Sequence, residues 1–549
     1  MALSTNLLVF RDVGEQISGR GLLLRLREAV LRMKVGQPDS LLTALIVAGE
    51  LECSLADSAS RSVTQAASIT DALAGAILER VSLDLAHIFS LLCGLEHSLP
   101  DSVRISHPEG FSYYALHPAD FSDAAARSAE HASVGVIGIR SIGTTLSSMT
   151  RSALTRKGIS ASRITVRPTG HPYDRKTELT SSEAAWLEQH RQKGSVFLIV
   201  DEGPGLSGSS FLSVAEALEQ HGISSDRITL LGTRDVDPAH LCAHDATRRW
   251  LRYRWRKAGS TITRAYSDYP PLSSGSWRGE LLAARAEWPA SWPEMERLKF
   301  FAPDHHHILK FDGLARHGER NRQRAQALFE AGFAPRPVQA KAAMAAYEFV
   351  PGSPLTPAEL STEVLERMAE YCAFRARFLR AEAQGDPLTE MLRCNLWQEM
   401  RVELDVPPAY LQSETAVIPD CRMQPHEWIK SSNGALVKVD GNGDGEGHFL
   451  PGPTDILWDL AGAIIEWNMN SGAAEYLLAQ FQKHGNRVDE ARLSWFLLAY
   501  SVFRLSYCKM ARSSTQDVAE KPRLDNAILH YKTHVNSGLQ RAAILQGDR

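Results

Sequence analysis

Residues 196 to 211 read VFLIVDEGPGLSGSSF, and the helical pattern FLSVAEALEQ continues from Phe211. The stretch joins an unbroken apolar run, two adjacent acids and a loop of Gly, Pro and Ser. A loop between a buried parallel strand and a helix lies at the carboxyl edge of the sheet, where open α/β folds bind their ligands. Its backbone N–H groups suit a phosphate. Carboxylates beside a phosphate predict a ligand that also offers ribose hydroxyls or Mg²⁺.

Further strand patterns surround this stretch. The runs SVGVIGIR, RITVRP and RITLLG alternate with helical patterns, and FSYYAL, residues 111 to 116, is another short aromatic run. Strands that alternate with helices are typical of a parallel sheet with crossover helices. The run VGVIGIRSIGTTLSSMTRSAL, from residue 134, also has the order of strand, Gly-rich turn and helix.

These motifs resemble the phosphoribosyl-diphosphate site of type I phosphoribosyltransferases. By that resemblance Asp201 and Glu202 are catalytic acids that address the ribose hydroxyls. The resemblance also implies a 5-phosphate loop with Gly205, Leu206, Ser207, Gly208 and Ser209. It implies a diphosphate loop with Gly138, Arg140, Ser141, Gly143 and Thr144. Arg175 and Lys176 are implied to be catalytic and lie, with Arg167 and His171, in a flexible loop that closes over the diphosphate. Gly203, Pro204 and Leu206 depart from the usual loop pattern. The resemblance implies Mg²⁺-dependent transfer of ribose 5-phosphate to an acceptor that the sequence does not identify.

The last third of the chain resembles aminoglycoside-phosphotransferase-like kinases. The hairpin pattern RLKFFAPDHHHILKF, the helical pattern GERNRQRAQALFEAG and the strand pattern AAYEFVPGSPL match the small lobe of that family. Lys310 matches the lysine that pairs with nucleotide phosphates, and Glu319 matches its helix partner. A second hairpin, EWIKSSNGALVKVDG, ends at Asp440, where the family has its magnesium-binding acid. PTDILWDLAGAIIEW places Asp459 as the support of the catalytic loop.

The catalytic loop departs from this family. The expected His-Gly-Asp motif and its downstream Asn are absent. In DCRMQPHEW, Asp420 lies near the position of the catalytic base, and His426 lies near the position of the metal-binding Asn. An active kinase and a nucleotide-binding pseudokinase therefore both remain open.

Composition limits the class of protein. The 549 residues carry a formal net charge of -4 without a block of like charges, which predicts no nucleic-acid partner. No apolar stretch reaches the roughly 18 residues of a membrane span. The 7 cysteines are scattered and lack a CxxC motif, as is typical of reduced thiols. We expect a cytoplasmic protein with small-molecule substrates and no membrane partner, and a homodimer is left open.

The predicted architecture is an α/β multidomain chain. A helical N-terminal domain spans residues 1 to 104, a parallel-sheet phosphoribosyltransferase-like domain 105 to 245, a connector 246 to 290, and a bilobal kinase-like α+β domain 291 to 549. The predicted function is phosphoribosyl transfer from phosphoribosyl diphosphate with Mg²⁺, joined to a domain that binds ATP and could transfer its phosphate. The alternative is a regulatory protein that senses phosphoribosyl diphosphate or nucleotide without turnover.

Overall fold

The computed structural model divides the chain into two compact units. It describes residues 14–34, 39–79, 83–96, 98–127, 132–282, 288–338, 343–382, 387–413, 415–443, 446–447 and 450–547. Within these ranges the first unit contains Gly14–Ser267 and Gly313–His317, and the second contains Asp268–Asp312 and the chain from Gly318 onward.

A parallel sheet forms the centre of the first unit. The strands of this unit are β1 (Gly14–Ile17), β2 (Val103–Ser106), β3 (Ser133–Ile139), β4 (Ser160–Val166), β5 (Thr169–His171), β6 (Asp174–Lys176), β7 (Val196–Val200), β8 (Ile228–Gly232) and β9 (Arg254–Lys257). Five of them lie in the order β4-β3-β7-β8-β9, and every neighbouring pair is parallel. The central strands β3 and β7 are almost wholly buried, because both of their faces carry apolar side chains.

Helices cover this sheet and form the N-terminal part of the first unit. They are α1 (Gly19–Lys34), α2 (Ser40–Asp57), α3 (Val63–Glu79), α4 (Leu85–Leu95), α5 (Glu109–Ser112), α6 (Asp120–Ala126), α7 (Ile142–Arg156), α8 (Ser181–Gln192), α9 (Ser209–Gln220), α10 (Ala246–Trp250) and α11 (Thr261–Ala265). The apolar faces of α1 to α4 share one core with Met149 of α7.

A buried ionic cluster also joins the N-terminal helices to the edge of the sheet. Arg163 of β4 donates to both carboxylate oxygens of Glu52 on α2, over 2.6 and 2.8 Å. Its Nε donates to Asp71 on α3 over 2.7 Å. Bidentate pairing of this kind fixes orientation as well as distance. The N-terminal helices are therefore an integral part of the first unit.

The second unit combines small antiparallel sheets with long helices. Its strands are β10 (Lys299–Phe301), β11 (His307–Phe311), β12 (Pro337–Val338), β13 (Met344–Glu348), β14 (Gly352–Pro354), β15 (Trp428–Ser431), β16 (Leu436–Lys438), β17 (Glu446–Gly447) and β18 (Leu450–Pro451). They form sheets with the orders β10-β11-β13-β12, β14-β15-β16 and β17-β18. The helices are α12 (Trp277–Leu281), α13 (Ala315–Glu330, whose first residues belong to the first unit), α14 (Thr362–Phe378), α15 (Pro387–Met400), α16 (Pro408–Leu411), α17 (Leu457–Glu466), α18 (Ser471–Lys483), α19 (Glu490–Ser514) and α20 (Glu520–Gly547).

Most of the predicted elements are confirmed, with two differences. The strands β3, β4, β7 and β8 and both C-terminal hairpins form where the patterns indicate, and the N-terminal region is largely helical as predicted. FSYYAL is not a strand: its first residues end the short helix α5, and the chain then turns. The sheet also continues past residue 245, because β9 pairs with β8. In the described part of the chain, no helix has the length and apolarity needed to cross a membrane.

Candidate functional sites

The ends of β3 and β7 bring two of the predicted loops together. The two strands pair in parallel with Gly138 opposite Val200, so the chain leaves both at the same edge of the sheet. Asp201 directly follows β7, and Arg140 directly follows β3. Gly143, in the first turn of α7, packs against the end of β7. A Cβ atom there would lie 2.7 Å from the carbonyl oxygen of Val200. Only glycine therefore allows this close approach.

The turn between β3 and α7 has a strained backbone. Ser141, the N-cap residue of α7, has φ 101° and ψ -118°, and its side chain makes no capping hydrogen bond. Residues other than glycine rarely adopt these backbone angles. The Thr144 N–H donates to the Ser141 carbonyl over 3.2 Å, and the Thr144 side chain is buried. Strain of this kind clusters at ligand sites, so the turn is a candidate for one.

Asp201 and Glu202 lie half-buried at the same edge. The Glu202 N–H donates to Asp201 Oδ1 over 2.9 Å. Burial is the main cause that raises the pKa of Asp201 to about 8, and the charge of Glu202 adds to it. Arg234 Nη2 lies 3.7 Å from Glu202 Oε1, and the same guanidinium lies over the ring of Tyr114 at 4.9 Å. Asp201 is therefore largely protonated at neutral pH unless a ligand favours its ionised form.

Two arginines at this edge are already paired with carboxylates. Arg140 Nη2 lies 3.2 Å from Glu183, and Arg140 Nη1 lies 3.5 Å from Asp57. Arg167 Nε donates to Asp57 over 3.1 Å, and its Nη1 donates to the Arg140 carbonyl over 2.9 Å. Sequence reasoning missed Asp57, which ends α2 in a segment without a motif. A diphosphate at Arg140 would have to compete with these acids.

The Gly/Ser loop contacts the hairpin of β5 and β6. Gly208 is the N-cap residue of α9 with φ 73°, and the Ser209 N–H at the start of the helix donates to Ser207 Oγ over 3.2 Å. Ser207 Oγ and Ser209 Oγ both donate to the Pro172 carbonyl, over 2.8 and 2.6 Å. Pro172 lies in the turn of the hairpin. The Leu206 carbonyl accepts the Cys242 N–H over 3.0 Å.

The predicted flexible-loop cations lie in this hairpin. Arg175 Nη1 donates to the Gly170 carbonyl over 2.8 Å. Lys176 pairs with Asp174 over 2.9 Å, and both of those side chains are largely exposed. These contacts of the two cations lie within the hairpin itself, while Gly205 of the Gly/Ser loop is exposed.

In the second unit, Lys310 forms a buried ion pair with Asp440. Lys310 lies on β11, and Asp440 follows β16 by two residues. Lys310 Nζ donates to Asp440 Oδ1 and, over 3.0 Å, to Asn442 Oδ1. Burial would raise the pKa of Asp440, but neighbouring cations hold it well below its ordinary value. The structure therefore brings together a buried ammonium group and an ionised carboxylate that the sequence assigned to one site.

This pair lies in the wall of a large cavity. The cavity has a volume of about 730 Å³, within the range of small-molecule sites. Its lining includes the charged groups around Asp440, apolar side chains from the connection between β13 and β14, such as Phe349 and Val350, and the aromatic rings of Trp292 and Tyr507. The cavity can therefore offer both charged and apolar contacts to a ligand.

Asp420, the predicted catalytic base, lies in an enclosed ionic cluster. It accepts a hydrogen bond from the Tyr371 hydroxyl and lies 3.3 Å from Lys438 Nζ. Its side chain has no exposed surface, and it is not among the side chains of the cavity wall. Asp459 accepts the Asp420 N–H over 2.8 Å and the Cys421 N–H over 3.0 Å. Asp459 therefore holds the backbone of this loop, while Asp420 balances the charge of Lys438.

Two other assignments have different outcomes. Lys310 pairs with Asp440 and not with Glu319, which the helical register of α13 leaves exposed to solvent. The role of Glu319 as a helix partner in the bound state stays a prediction. His426 lies in the cavity wall with its ring stacked on Trp277 at 5.3 Å, and burial together with nearby cations lowers its pKa to about 3. A neutral imidazole can bind a metal, so its metal-binding role stays a prediction. Among the residues that the structure describes, no three His, Cys, Asp or Glu side chains form a metal-binding group.

Sequence reasoning missed three residues beside Asp440. Lys299 of β10 donates to Asp440 Oδ2. Arg422 Nη1 lies 3.8 Å from the same oxygen, and Asn442 bonds to Lys310. The hairpin pattern contained a signal for Lys299, because the register of β10 and β11 places it directly opposite Lys310. No comparable signal identifies Arg422.

Comparisons with known proteins give only distant likenesses. No protein-family model and no curated protein sequence matches the chain. Choline kinase LicA from Streptococcus pneumoniae has 13% identity and a TM-score of 0.33, over 50% of this chain and 98% of its own. A choline/ethanolamine kinase family protein from Mesorhizobium loti has 14% identity and a TM-score of 0.31, over 49% of this chain and 98% of its own. The GDP complex of aminoglycoside 2'-phosphotransferase-IIIa has 11% identity and a TM-score of 0.28, over 44% of this chain and 89% of its own. Likenesses this weak do not establish a family for the chain.

Proposed function

We propose that the second unit binds a nucleoside triphosphate with Mg²⁺ and transfers its terminal phosphoryl group to a small molecule. The observation that carries this proposal is the buried pair of Lys310 and Asp440 in the wall of a cavity of about 730 Å³. A buried lysine next to an ionised aspartate suits polyphosphate and its metal ion. The resemblance of the sequence to aminoglycoside-phosphotransferase-like kinases implies the same use of these two residues.

The residues around this pair fit a nucleotide. Asp440 supplies one ionised carboxylate, which is enough for Mg²⁺ when substrate phosphates complete its coordination. When bound, the ion would neutralise charge on the phosphates. Lys310 Nζ would exchange part of its contact with Asp440 for a phosphate oxygen. The apolar wall near Phe349 and Val350 would exclude water from the base.

Loss of the Lys310 ammonium group should remove most of the nucleotide affinity. We expect Lys310→Ala to weaken binding of ATP with Mg²⁺ by about 100-fold, because charge-assisted hydrogen bonds contribute about 1.5–3 kcal/mol each. Isothermal titration of the full chain would measure it. Lys430→Ala is the matched control, since Lys430 is exposed on β15. Absence of ATP binding by the wild-type chain would refute the proposal. Binding without any transferred phosphate would instead favour the nucleotide-sensing alternative.

For the first unit we propose binding of phosphoribosyl diphosphate and transfer of its ribose 5-phosphate to an acceptor. The observation that favours this second activity is that two loops with complementary chemistry leave adjacent parallel strands at one edge. The acids Asp201 and Glu202 can accept hydrogen bonds from ribose hydroxyls. The first turn of α9 offers backbone N–H groups to a phosphate, and Arg140 lies near the place expected for the diphosphate.

Ligand binding should release a proton from Asp201. Its pKa of about 8 means that the free protein holds this carboxyl largely protonated at neutral pH. Ribose hydroxyls and Mg²⁺ favour the ionised form, so binding at about pH 6.5 should release close to one proton, and binding at about pH 9.5 should release almost none. Titration calorimetry with phosphoribosyl diphosphate and Mg²⁺, in buffers of different ionisation enthalpy, measures this number. Equal release at both pH values would contradict the role of Asp201.

A further inference from the structure

Two lysines lie directly opposite each other on the strands that border the cavity. In the antiparallel register of β10 and β11, Lys299 is paired with Lys310. Directly opposed side chains project from the same face of a sheet, and like charges there destabilise the pair. Lys310 is 5% exposed, and the Lys299 side chain is 20% exposed, so water screens their repulsion poorly. Such an arrangement requires negative charge between the two ammonium groups.

Asp440 supplies one such charge, and it is shared among three cations. Lys299 and Lys310 each donate to one of its oxygens. Arg422 Nη1 lies 3.8 Å from Asp440 Oδ2 and 3.6 Å from Glu427 Oε1. The other oxygen of Glu427 is bound by Lys438, 2.8 Å away. Arg422 therefore shares Asp440 with two lysines and shares Glu427 with Lys438.

One carboxylate therefore serves three cations, and Lys310 among them is buried. An additional anion beside these groups would be bound favourably, because it would compensate charge that is held away from water.

We propose that Lys299 and Arg422, together with Lys310, form a subsite for the terminal phosphates of the nucleotide. This inference rests on the proposed nucleotide site and goes beyond it, since it assigns two residues that the kinase motifs do not include. All three cations line the cavity. A subsite of three cations prefers a triphosphate over a monophosphate, and it retains that preference without Mg²⁺ because the side chains supply the neutralising charge.

Titration of the full chain with ATP, ADP and AMP, each with Mg²⁺ and with EDTA, tests the subsite. We expect the wild-type chain in EDTA to bind ATP at least about 10-fold more tightly than AMP. Lys299→Gln should weaken ATP binding by about 10-fold and leave AMP binding unchanged, whereas Lys299→Arg should restore ATP binding. Lys430→Gln, at an exposed position of β15, is the control for loss of one positive charge.

The outcomes separate this inference from the proposed nucleotide site. No binding of any nucleotide by the folded wild-type chain would overturn both. Wild-type binding with equal affinities for ATP and AMP in EDTA, or an equal loss for ATP and AMP in Lys299→Gln, would overturn the subsite alone. Arg422→Gln provides a second variant if Lys299→Gln lacks the wild-type melting transition, and the same selective loss for ATP is expected from it.

Discussion

Asp440→Asn should abolish phosphoryl transfer while nucleotide binding remains as tight as in the wild-type chain, or becomes tighter. The substitution keeps the shape of the side chain and removes the charge that holds Mg²⁺ in the proposed site. It also frees Lys299 and Lys310 from their carboxylate partner, so both ammonium groups can turn to phosphate. We expect a fall in the transfer rate of about a thousandfold, corresponding to about 4 kcal/mol of transition-state stabilisation.

The separation of binding from turnover makes this test specific. Transfer of labelled phosphate from ATP to candidate acceptors gives the rate, and titration with ATP gives the affinity. Asp405→Asn is the matched control, because the Asp405 side chain is 93% exposed in the same unit. If Asp440→Asn lost binding and transfer in parallel, the carboxylate would be a structural anchor of the lysines and not a metal ligand.

Asp201→Asn combined with Glu202→Gln should remove diphosphate release from phosphoribosyl diphosphate. Both new side chains keep the size of the originals. Asp201 is largely protonated in the free protein at neutral pH, so an amide there should disturb the fold little. Neither amide offers the negative charge that binds ribose hydroxyls and Mg²⁺. We expect a loss of about a thousandfold.

A screen of diphosphate release with a panel of bases as acceptors measures this loss. Asp235→Asn is the matched control: Asp235 also follows a strand of the parallel sheet, but its side chain is 86% exposed and pairs with Lys257. Release by the double variant at the wild-type rate would show that the acids do not act in the reaction. An unchanged melting transition of the double variant is required for the comparison.

The sequence predicted much of the first unit because its strands are continuous apolar runs. VFLIV and SVGVIGI contain too few polar residues for an exposed strand, and their order along the chain indicates a parallel sheet. β9 was missed because its sequence, RWRK, is charged and lacks an apolar run. It forms a strand because it pairs with β8 at the edge of the sheet. FSYYAL was misassigned because aromatic residues favour strands locally, whereas here Phe111 is buried in a short helix.

The site residues that the sequence did not identify are held by contacts between distant parts of the chain. Asp57 acts on Arg140 and Arg167 from a distant helix, and no local pattern indicates an ion pair across 83 or 110 residues. Lys310 and Asp440 could be assigned because the first lies in a recognisable hairpin and the second directly after one. Arg422 lies in the loop that departs from the kinase pattern, so its approach to Asp440 depends on tertiary packing alone.

The hydrogen bonds between the hairpin and the Gly/Ser loop use the same hydroxyl groups that a phosphate bound at the loop would need. A serine hydroxyl has a single hydrogen to donate. Ser209 gives its hydrogen to the Pro172 carbonyl, and the Ser207 hydroxyl lies 2.8 Å from the same carbonyl and 3.0 Å from Ser209 Oγ. A phosphate that took these hydrogens would break the bonds between the loop and the hairpin turn in the same step. The turn that precedes Arg175 and Lys176 would thus lose these bonds when a ligand arrives and regain them when it leaves.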